Sequence, residues 1–322
     1  MAEAVVAEID EAPSAPTPAE GLRLRDVGVR FGSQDILRQV SLMVPTGHIT
    51  GLVGTNGAGK TTTMRAILGV IAHTDGSITW QGRDIDHHTT TSFGYMPEER
   101  GLYPCMTVGD QLVYHARLHG LTRAAARNAA DEWGERVGLG EVMHRSVESL
   151  SLGNQQRVQV AVALAHKPRV LVLDEPFSGL DPAGVDQLSN VLRERARLGV
   201  SVLLSSHQLQ LVQSLCDSVT VISKGTVVAD ATVHELRTAA GRVLRVETSS
   251  GLGSRRTAVA LRAMGFGAAK VLPGGNHELT MTVTSGRQAL AVLRRLDPLL
   301  DIQDFRIEAA SLHDALRGVL RQ

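Results

Sequence analysis

One nine-residue stretch constrains the fold of this chain more than any other part of the sequence. It follows a mostly apolar run, Ile49 to Val53, which predicts a buried strand, and it precedes Met64 to Leu68, which predicts the first turns of a helix. A strand, a glycine-rich loop and a helix in this order indicate a phosphate-binding loop. Its residues are Gly54, Thr55, Asn56, Gly57, Ala58, Gly59, Lys60, Thr61 and Thr62.

The spacing of Gly54, Gly59, Lys60 and Thr61 matches the pattern G-x-x-x-x-G-K-[S/T]. Glycines let backbone N–H groups curl around phosphate oxygens, and the start of the following helix attracts the same anion. We expect Lys60 to reach the β- and γ-phosphates, Thr61 to offer its hydroxyl to Mg²⁺ and Thr62 to assist at the α-phosphate. The alternative, a chance glycine-rich turn, does not account for the strand and helix on either side.

The composition argues against several classes of partner. The 322 residues hold 33 lysines and arginines against 33 aspartates and glutamates, so no net field favours nucleic acid or an anionic membrane surface. The only cysteines, Cys105 and Cys216, form no disulfide framework or metal pattern, which fits a reducing cytosol. No apolar run approaches the roughly 20 residues that span a bilayer, so we expect a soluble chain. Residues 1–20 are acidic and proline-rich, and we predict that they are disordered.

An antiparallel layer and a helical insertion are predicted around the loop. Apolar residues alternate from Leu22 to Phe31 and again from Ile36 to Val44. Phe31 either stacks on a purine face or belongs to the core. Two helices, 108–119 and 122–138, form an insertion over about 105–150. Asp84, Asp86, His87 and His88 are possible metal ligands, but their spacing matches no standard site, so we interpret them as a solvated loop. His115 and His119 lie at i and i+4 on the first of these helices without a nearby carboxylate ligand, so we interpret them as exposed.

Two carboxylates end a second buried strand. The run Val170 to Leu173 predicts a strand covered on both faces, so Asp174 and Glu175 emerge at its carboxyl end, where ligands bind in α/β sheets. One carboxylate can hold Mg²⁺ and the other can orient or deprotonate an attacking water. Two acids that merely end a strand are the alternative.

Two more anion-binding features follow from the sequence. Ser151 is a natural N-cap for a helix that continues to His166, and the free N–H groups behind it form a second helix-terminal anion site. His207 comes directly after another apolar run, Val200 to Ser205, where it can donate to a γ-phosphate. A lone histidine at such a position usually has no special role.

These motifs, in this order, resemble the ATP-binding cassette (ABC) family over residues 22 to about 237. The resemblance implies a head-to-tail dimer in which Ser151, Gly153 and Asn154 of one protomer close over the γ-phosphate held by Lys60 of the other. The segments that resemble the Walker A motif, signature sequence, Walker B motif, D-loop and switch histidine are Gly54–Thr62, Leu150–Asn154, Val170–Glu175, Ser178–Asp181 and His207.

The resemblance also assigns roles to single residues. It implies that Phe31 stacks on adenine, that Asp174 serves Mg²⁺ and that Glu175 is the general base. Two positions depart from the family pattern. The signature is Leu-Ser-Leu-Gly-Asn where the common form is Leu-Ser-Gly-Gly-Gln, and Glu98 stands at the Q-loop position usually held by glutamine. An ionised Glu98 can ligate Mg²⁺ or accept a hydrogen bond but cannot donate one.

The residues 94–104, with the signature, are similar to the branch that serves ABC-2-type exporters, including sodium and drug extrusion systems. This similarity implies an ATPase that uses Mg-ATP, works as a homodimer or with a paralogue, and drives a separate transmembrane permease from the cytoplasmic face of the membrane. The alternative is a soluble cassette ATPase that acts on ribosomes or DNA. Such proteins usually carry a second cassette, a coiled-coil insertion or basic arms. A small-molecule kinase would leave Leu150–Asn154 and His207 unexplained.

The predicted fold class is α/β, a P-loop NTPase with the antiparallel layer and helical subdomain of an ABC ATPase core, plus a small α+β ferredoxin-like C-terminal domain. The predicted domains are a tail (1–20), a nucleotide-binding domain (21–237) and an accessory domain (240–322). The accessory domain resembles one found in the same exporter branch, and we expect it to stabilise a dimer or regulate it. Its predicted strands are 243–247, 268–272, 279–283 and 302–307, and its predicted helices are 255–264, 287–296 and 312–320.

Overall fold

A computed structural model describes residues 21–99, 101–248, 278–297 and 302–316 of the chain. The predicted tail, the helix 255–264 and the strand 268–272 lie outside the described residues. The chain divides into two compact units, of which the first contains Met1–Ile49 and Thr61–Leu203 and the second contains Thr50–Lys60 and Leu204–Gln322. The predicted domain boundary near residue 240 stays a prediction.

The first unit opens with the predicted antiparallel layer. Its strand order is β2-β1-β4-β5. The register of β1 on β2 runs from Gly21 opposite Pro45 to Phe31 opposite Gln34. Most of the apolar side chains that alternate along both strands are buried, with Phe31 at the end of β1 as an exposed exception, which is why the alternation predicted the layer correctly. The strands are β1 (Gly21–Phe31), β2 (Gln34–Pro45), β4 (Asp75–Trp80) and β5 (Arg83–Asp84).

Six strands form a second sheet, and the mixed α/β prediction is confirmed by it. Strand β3 pairs with β9 and β6 pairs with β7 in parallel, while β10 pairs with β9 in antiparallel fashion. Strands β3, β7 and β8 are buried along their whole length, as their mostly apolar sequences predict. The order is β10-β9-β3-β8-β7-β6, with β3 (Ile49–Val53), β6 (Phe93–Met96), β7 (Val170–Leu173), β8 (Ser201–Ser205), β9 (Ser218–Ser223) and β10 (Thr226–Thr232).

Side-chain caps define where several helices begin. Thr107, Thr122, Ser151 and Asp181 each accept a hydrogen bond from the backbone N–H three residues further on, which satisfies a donor that has no partner within the helix. The helices up to residue 239 are α1 (Lys60–Ile67), α2 (His87–Thr90), α3 (Val108–Leu118), α4 (Arg123–Arg136), α5 (Leu152–Leu164), α6 (Pro182–Arg197), α7 (Leu209–Leu215) and α8 (Val233–Ala239).

The C-terminal part of the second unit carries a three-stranded sheet of order β12-β11-β13. Helix α9 buries one face on this sheet, where Ala289, Val292 and Leu296 join a core with Leu244 and Met281. The strands and helices within the described residues match the predicted ones to within a few positions, and the ferredoxin-like class stays a prediction. The elements are β11 (Arg242–Thr248), β12 (Glu278–Val283), α9 (Gly286–Leu296), β13 (Ile302–Ala309) and α10 (Leu312–Leu316).

Candidate functional site

The glycine-rich loop lies between β3 and α1, as the sequence predicted. A Cβ atom added to Gly54 would lie 2.3 Å from the carbonyl oxygen of Ile222, so this position excludes any side chain. Gly57 and Gly59 have φ angles of +76° and +109°, which L-residues with side chains rarely adopt. The glycines at these positions are therefore required by the backbone path of the loop.

Lys60 is folded into this loop. Its Nζ donates to the carbonyl oxygens of Gly54 at 2.9 Å and Thr55 at 3.3 Å, and the residue is only 9% exposed. A buried ammonium group is costly unless it is paired or hydrogen-bonded. Two backbone carbonyls hold the charge here until an anionic ligand can compete for it.

Thr61, the first residue after Lys60, contacts the acid at the end of β7. The Thr61 hydroxyl donates to the Asp174 carboxylate at 2.7 Å, and Asp174 is 1% exposed. The backbone N–H of Asp174 donates to Met96 O at 2.8 Å, which fixes the start of the turn. Hydroxyl and carboxylate oxygens are the hard ligands that Mg²⁺ prefers, so the donor chemistry of this pair fits that ion.

Glu175 has a backbone conformation that its residue type disfavours. Its φ angle is +51°, in the left-handed region, which costs about 1–2 kcal/mol for a residue other than glycine. Gln156 of α5, 5% exposed, donates through Nε2 to Glu175 O at 3.0 Å and holds the peptide in place. Such strain concentrates at functional sites, and no local sequence pattern indicated it here.

Gln159, also on α5, holds the segment that contains Glu98. Its Nε2 donates to Pro97 O at 3.3 Å and to Glu99 O at 3.4 Å, while Glu98 itself is exposed. Neither glutamine was predicted from the sequence. The available signal was that Gln156 and Gln159 lie three residues apart on one face of the helix, and Gln159 lies within its apolar part, where a buried polar residue needs a hydrogen-bond partner.

The signature segment is exposed at the start of α5. Ser151 accepts a hydrogen bond from Asn154 N at 3.4 Å, and Leu152, which replaces the usual glycine, is 59% exposed. A Cβ atom on Gly153 would lie 2.9 Å from Gly179 O, so this glycine permits close approach of the turn before α6. Within the first unit, the signature segment and the D-loop are thus in direct contact.

An ion pair that was not predicted joins α5, shortly after the signature segment, to the D-loop. Arg157 Nη2 lies 3.2 Å from Asp181 Oδ1, the oxygen that also accepts from Gly184 N at 3.0 Å. Cβ atoms on Gly184 and Gly138 would lie 2.9 Å and 3.0 Å from the guanidinium nitrogens. The absence of a side chain at these two glycines leaves space for the Arg157 guanidinium group.

Two predicted site residues lie on the surface. Phe31, at the end of β1, is 52% exposed, so the interpretation as a core residue is wrong and the stacking interpretation stays a prediction. His207 follows β8 and is exposed, and Ser206 next to it is buried and accepts from Gln208 N at 3.0 Å. The turn that carries the histidine is therefore ordered by its neighbours.

The interpretation of His115 and His119 as exposed residues is wrong in one case and incomplete in the other. His115 is half-buried and hydrogen-bonded to Gln111, while the His119 ring stacks on His166 with ring centres 3.7 Å apart. Burial, with a smaller contribution from His119, lowers the pKa of His166 to about 4, so this imidazole is neutral at pH 7. Among the described residues no cluster of three or more histidine, cysteine or acidic side chains is placed to hold a metal ion.

Comparisons with known proteins agree with this geometry. The profile of the ABC transporter family matches residues 37–178. The chain is 43% identical over 221 residues to an uncharacterised ABC transporter ATP-binding protein, YhaQ, of Bacillus subtilis, covering 69% of this chain and 74% of the relative. It is 33% identical over 218 residues to the linearmycin resistance ATP-binding protein LnrL of the same organism, covering 67% of this chain and 70% of the relative.

A solved structure confirms the fold. The structure of the ATP-binding subunit of an ABC transporter superposes with a TM-score of 0.63 at 30% identity, covering 68% of this chain and 92% of the other. In the described part of this chain, no helix has the length and apolar character needed to cross a membrane. The fold, the motifs and the relatives agree, and the chain belongs to the ATP-binding proteins of ABC transporters, a family of ATP-hydrolysing transporter subunits.

Proposed function

We propose that this chain binds and hydrolyses Mg-ATP to power export through a separate transmembrane permease. The observation that carries the proposal is the 2.7 Å contact between the Thr61 hydroxyl and the buried Asp174 carboxylate, with Glu175 next in the chain. Export is supported by the similarity of residues 94–104 to the exporter branch and by a relative named for linearmycin resistance. The permease would hold the chain at the cytoplasmic face of the membrane.

Each residue of the proposed site has one task. The loop from Gly54 to Thr62 binds the phosphates, with Lys60 balancing the charge of the β- and γ-phosphates. Thr61, Asp174 and Glu98 provide oxygen ligands for Mg²⁺, which when bound neutralises charge on the phosphates.

The remaining residues act on the attacking water and the γ-phosphate. Glu175 takes the proton of the water, and His207 donates a hydrogen bond to the γ-phosphate. Phe31 stacks on the adenine ring. The second protomer, a copy or a paralogue, supplies Ser151, Gly153 and Asn154 to the γ-phosphate.

A Glu175→Gln variant tests the chemistry. It removes the proton acceptor and keeps the size of the side chain, so we expect hydrolysis to fall at least 100-fold while ATP binding persists and an ATP-dependent dimer accumulates. ATP turnover and gel filtration with ATP measure the two effects. Glu141→Gln, an exposed glutamate between α4 and α5, is the matched control and should behave as wild type. Normal turnover in the Glu175 variant would remove this residue from the base role.

The partner is tested separately from the chemistry. The tagged chain is purified from detergent-solubilised native membranes, and a polytopic membrane protein should co-purify in stoichiometric amount. Recovery with ribosomes or DNA-bound proteins, and without a membrane protein, would contradict the export proposal and leave the ATPase chemistry in place.

A further inference from the structure

The end of the described chain contacts the helix that follows the switch histidine. Helix α10 lies against α7 within the second unit. The backbone N–H of Leu312, at the start of α10, donates to Oε1 of Gln213 on α7 at 2.6 Å. Leu312 and Leu316 are 0% and 1% exposed, and Val212 of α7 is fully buried. One short hydrogen bond therefore joins α7 to a helix whose two leucines are buried.

The hydrogen bond satisfies a group that would otherwise be unpaired. The first N–H groups of a helix have no partner inside the helix, and a buried donor without a partner is unfavourable. Leu312 N is such a donor in a fully buried residue, and the half-buried Gln213 supplies its acceptor. The side chain of Gln213 is therefore committed to α10.

The entry into α10 is fixed by further contacts. Arg237 Nε on α8 donates to Ala310 O at 3.0 Å, and Ala310 N donates to Gly241 O at 3.1 Å. Ser311 and Asp314 cap each other, because each backbone N–H donates to the side chain of the other residue at 3.1 Å. Helix α10 is thus a fixed surface for α7.

Helix α7 is joined closely to His207. It begins at Leu209, so only Gln208 separates the helix from the histidine, and Gln208 N is hydrogen-bonded to Ser206 Oγ. One intervening residue spans at most about 3.6 Å, so a larger displacement of the helix start also moves the histidine. The position of α7 therefore helps to set the position of the imidazole.

We propose that the C-terminal helix α10 positions the switch histidine by holding α7, with Leu312 and Gln213 as positioning residues for hydrolysis. The inference rests on the proposed role of His207 as a donor to the γ-phosphate. It gives the C-terminal part of the chain a task in the ATPase cycle, and it predicts that a disturbance there changes turnover and not nucleotide affinity.

Full-length Leu312→Asp tests the inference by placing a charge in the α7–α10 interface. We expect kcat for ATP to fall about tenfold with KM within twofold of wild type, since one displaced transition-state donor costs up to 10²–10³ in rate. Leu290→Asp on α9, where the leucine is 50% exposed, adds the same charge without touching the contact and should leave kcat unchanged. Wild-type kcat in folded Leu312→Asp would overturn the inference.

Gln213 provides a milder variant that keeps the interface apolar. Gln213→Met removes the acceptor and nearly preserves side-chain size, and we expect kcat to fall about threefold to tenfold. Gln213→Glu keeps an acceptor oxygen at the same reach and should restore turnover. Equal loss in both variants would overturn the role of the hydrogen bond. Thermal unfolding of each variant separates a loss of folding from a loss of position.

A double variant separates this inference from the proposed function. If α10 acts through His207, Leu312→Asp adds no further loss of kcat in a His207→Ala background. If the loss of kcat in the double variant equals the product of the two single losses, the inference is overturned and the role of the histidine remains. Wild-type turnover in His207→Ala alone would overturn the histidine role itself, and with it the inference.

Discussion

The phosphate loop and the signature segment both precede a helix, yet their side chains differ in exposure to solvent. In the phosphate loop the functional side chain is turned inward, with Lys60 only 9% exposed and bonded to two loop carbonyls. In the signature segment Ser151 and Leu152 face outward, and Leu152 is 59% exposed. The phosphate loop therefore holds its functional side chain with its own backbone, whereas the signature segment exposes its side chains to solvent.

This difference fits the two tasks that the proposed function gives to these segments. If the loop holds phosphate with groups that are already in place, changes there should affect nucleotide affinity. If the signature segment offers its groups to a second protomer, changes there should lower hydrolysis and leave nucleotide affinity intact.

Lys60→Ala should have the largest effect. The variant loses the only ammonium group in the loop, and charge-assisted hydrogen bonds contribute about 1.5–3 kcal/mol each, so we expect ATP affinity to fall about 100-fold or more. Equilibrium titration with a fluorescent ATP analogue measures this. Lys167→Ala removes an exposed lysine outside the loop and should bind normally. If the ATP affinity of Lys60→Ala stays within threefold of wild type, the phosphate loop does not determine nucleotide affinity through Lys60.

Ser151→Ala should separate the two segments. We expect nucleotide affinity to be unchanged and turnover to fall about 10- to 100-fold, because the hydroxyl at the proposed γ-phosphate contact is lost. The variant also loses an N-cap worth about 1 kcal/mol of stability. Thr122→Ala loses an equivalent cap, at the start of α4, and is the matched control for that effect. If both variants retain wild-type turnover, the signature segment has no role in hydrolysis.

Sequence alone predicts the phosphate loop well, because its signal is local. The glycine positions, the buried strand before them and the helix after them lie within about twenty residues, and each follows from backbone geometry or burial. The positions of Asp174 and Glu175 are also predicted by a local signal, because the residues that follow a buried apolar strand lie at the carboxyl edge of the sheet.

The contacts that position these residues are not predicted, because their partners are distant in the chain. Gln159 bonds to Pro97 O and Glu99 O, and Arg157 pairs with Asp181, across long separations that no local period encodes. The same limit explains why the stacking of the exposed His119 on His166 was not predicted, since His166 lies after α5, far along the chain. Glu175, with its positive φ, likewise accepts a hydrogen bond from Gln156 on an earlier helix.

Arg157→Ala should lower turnover less than Ser151→Ala does. It tests whether the contact between α5 and the D-loop contributes to hydrolysis. The variant releases Asp181 while leaving that aspartate as the cap of α6, so we expect turnover to fall about threefold to tenfold with affinity unchanged. Arg136→Ala breaks a 2.6 Å ion pair with Glu194, away from the signature, and is the matched control. Equal turnover in the two variants would show that the link between signature and D-loop is only structural.

His166 should give the smallest effect, on stability and not on catalysis. Because its pKa is lowered to about 4 in the folded chain, the unfolded chain binds the extra proton first as the pH falls below about 6.5. Stability is therefore retained above that pH and decreases from pH 6.5 towards pH 4.

Between pH 7.5 and 5.5, wild type should lose about 1 kcal/mol more than His166→Gln, with His87→Gln, which alters an exposed histidine, following wild type. Urea unfolding at the two pH values measures the difference. ATP turnover at pH 7.5 should be equal in all three proteins, because the imidazole is neutral there and belongs to neither anion site. A loss of turnover in His166→Gln with unchanged stability would show that the stacked pair of His119 and His166 contributes to the ATPase cycle, in addition to the phosphate loop and the signature segment.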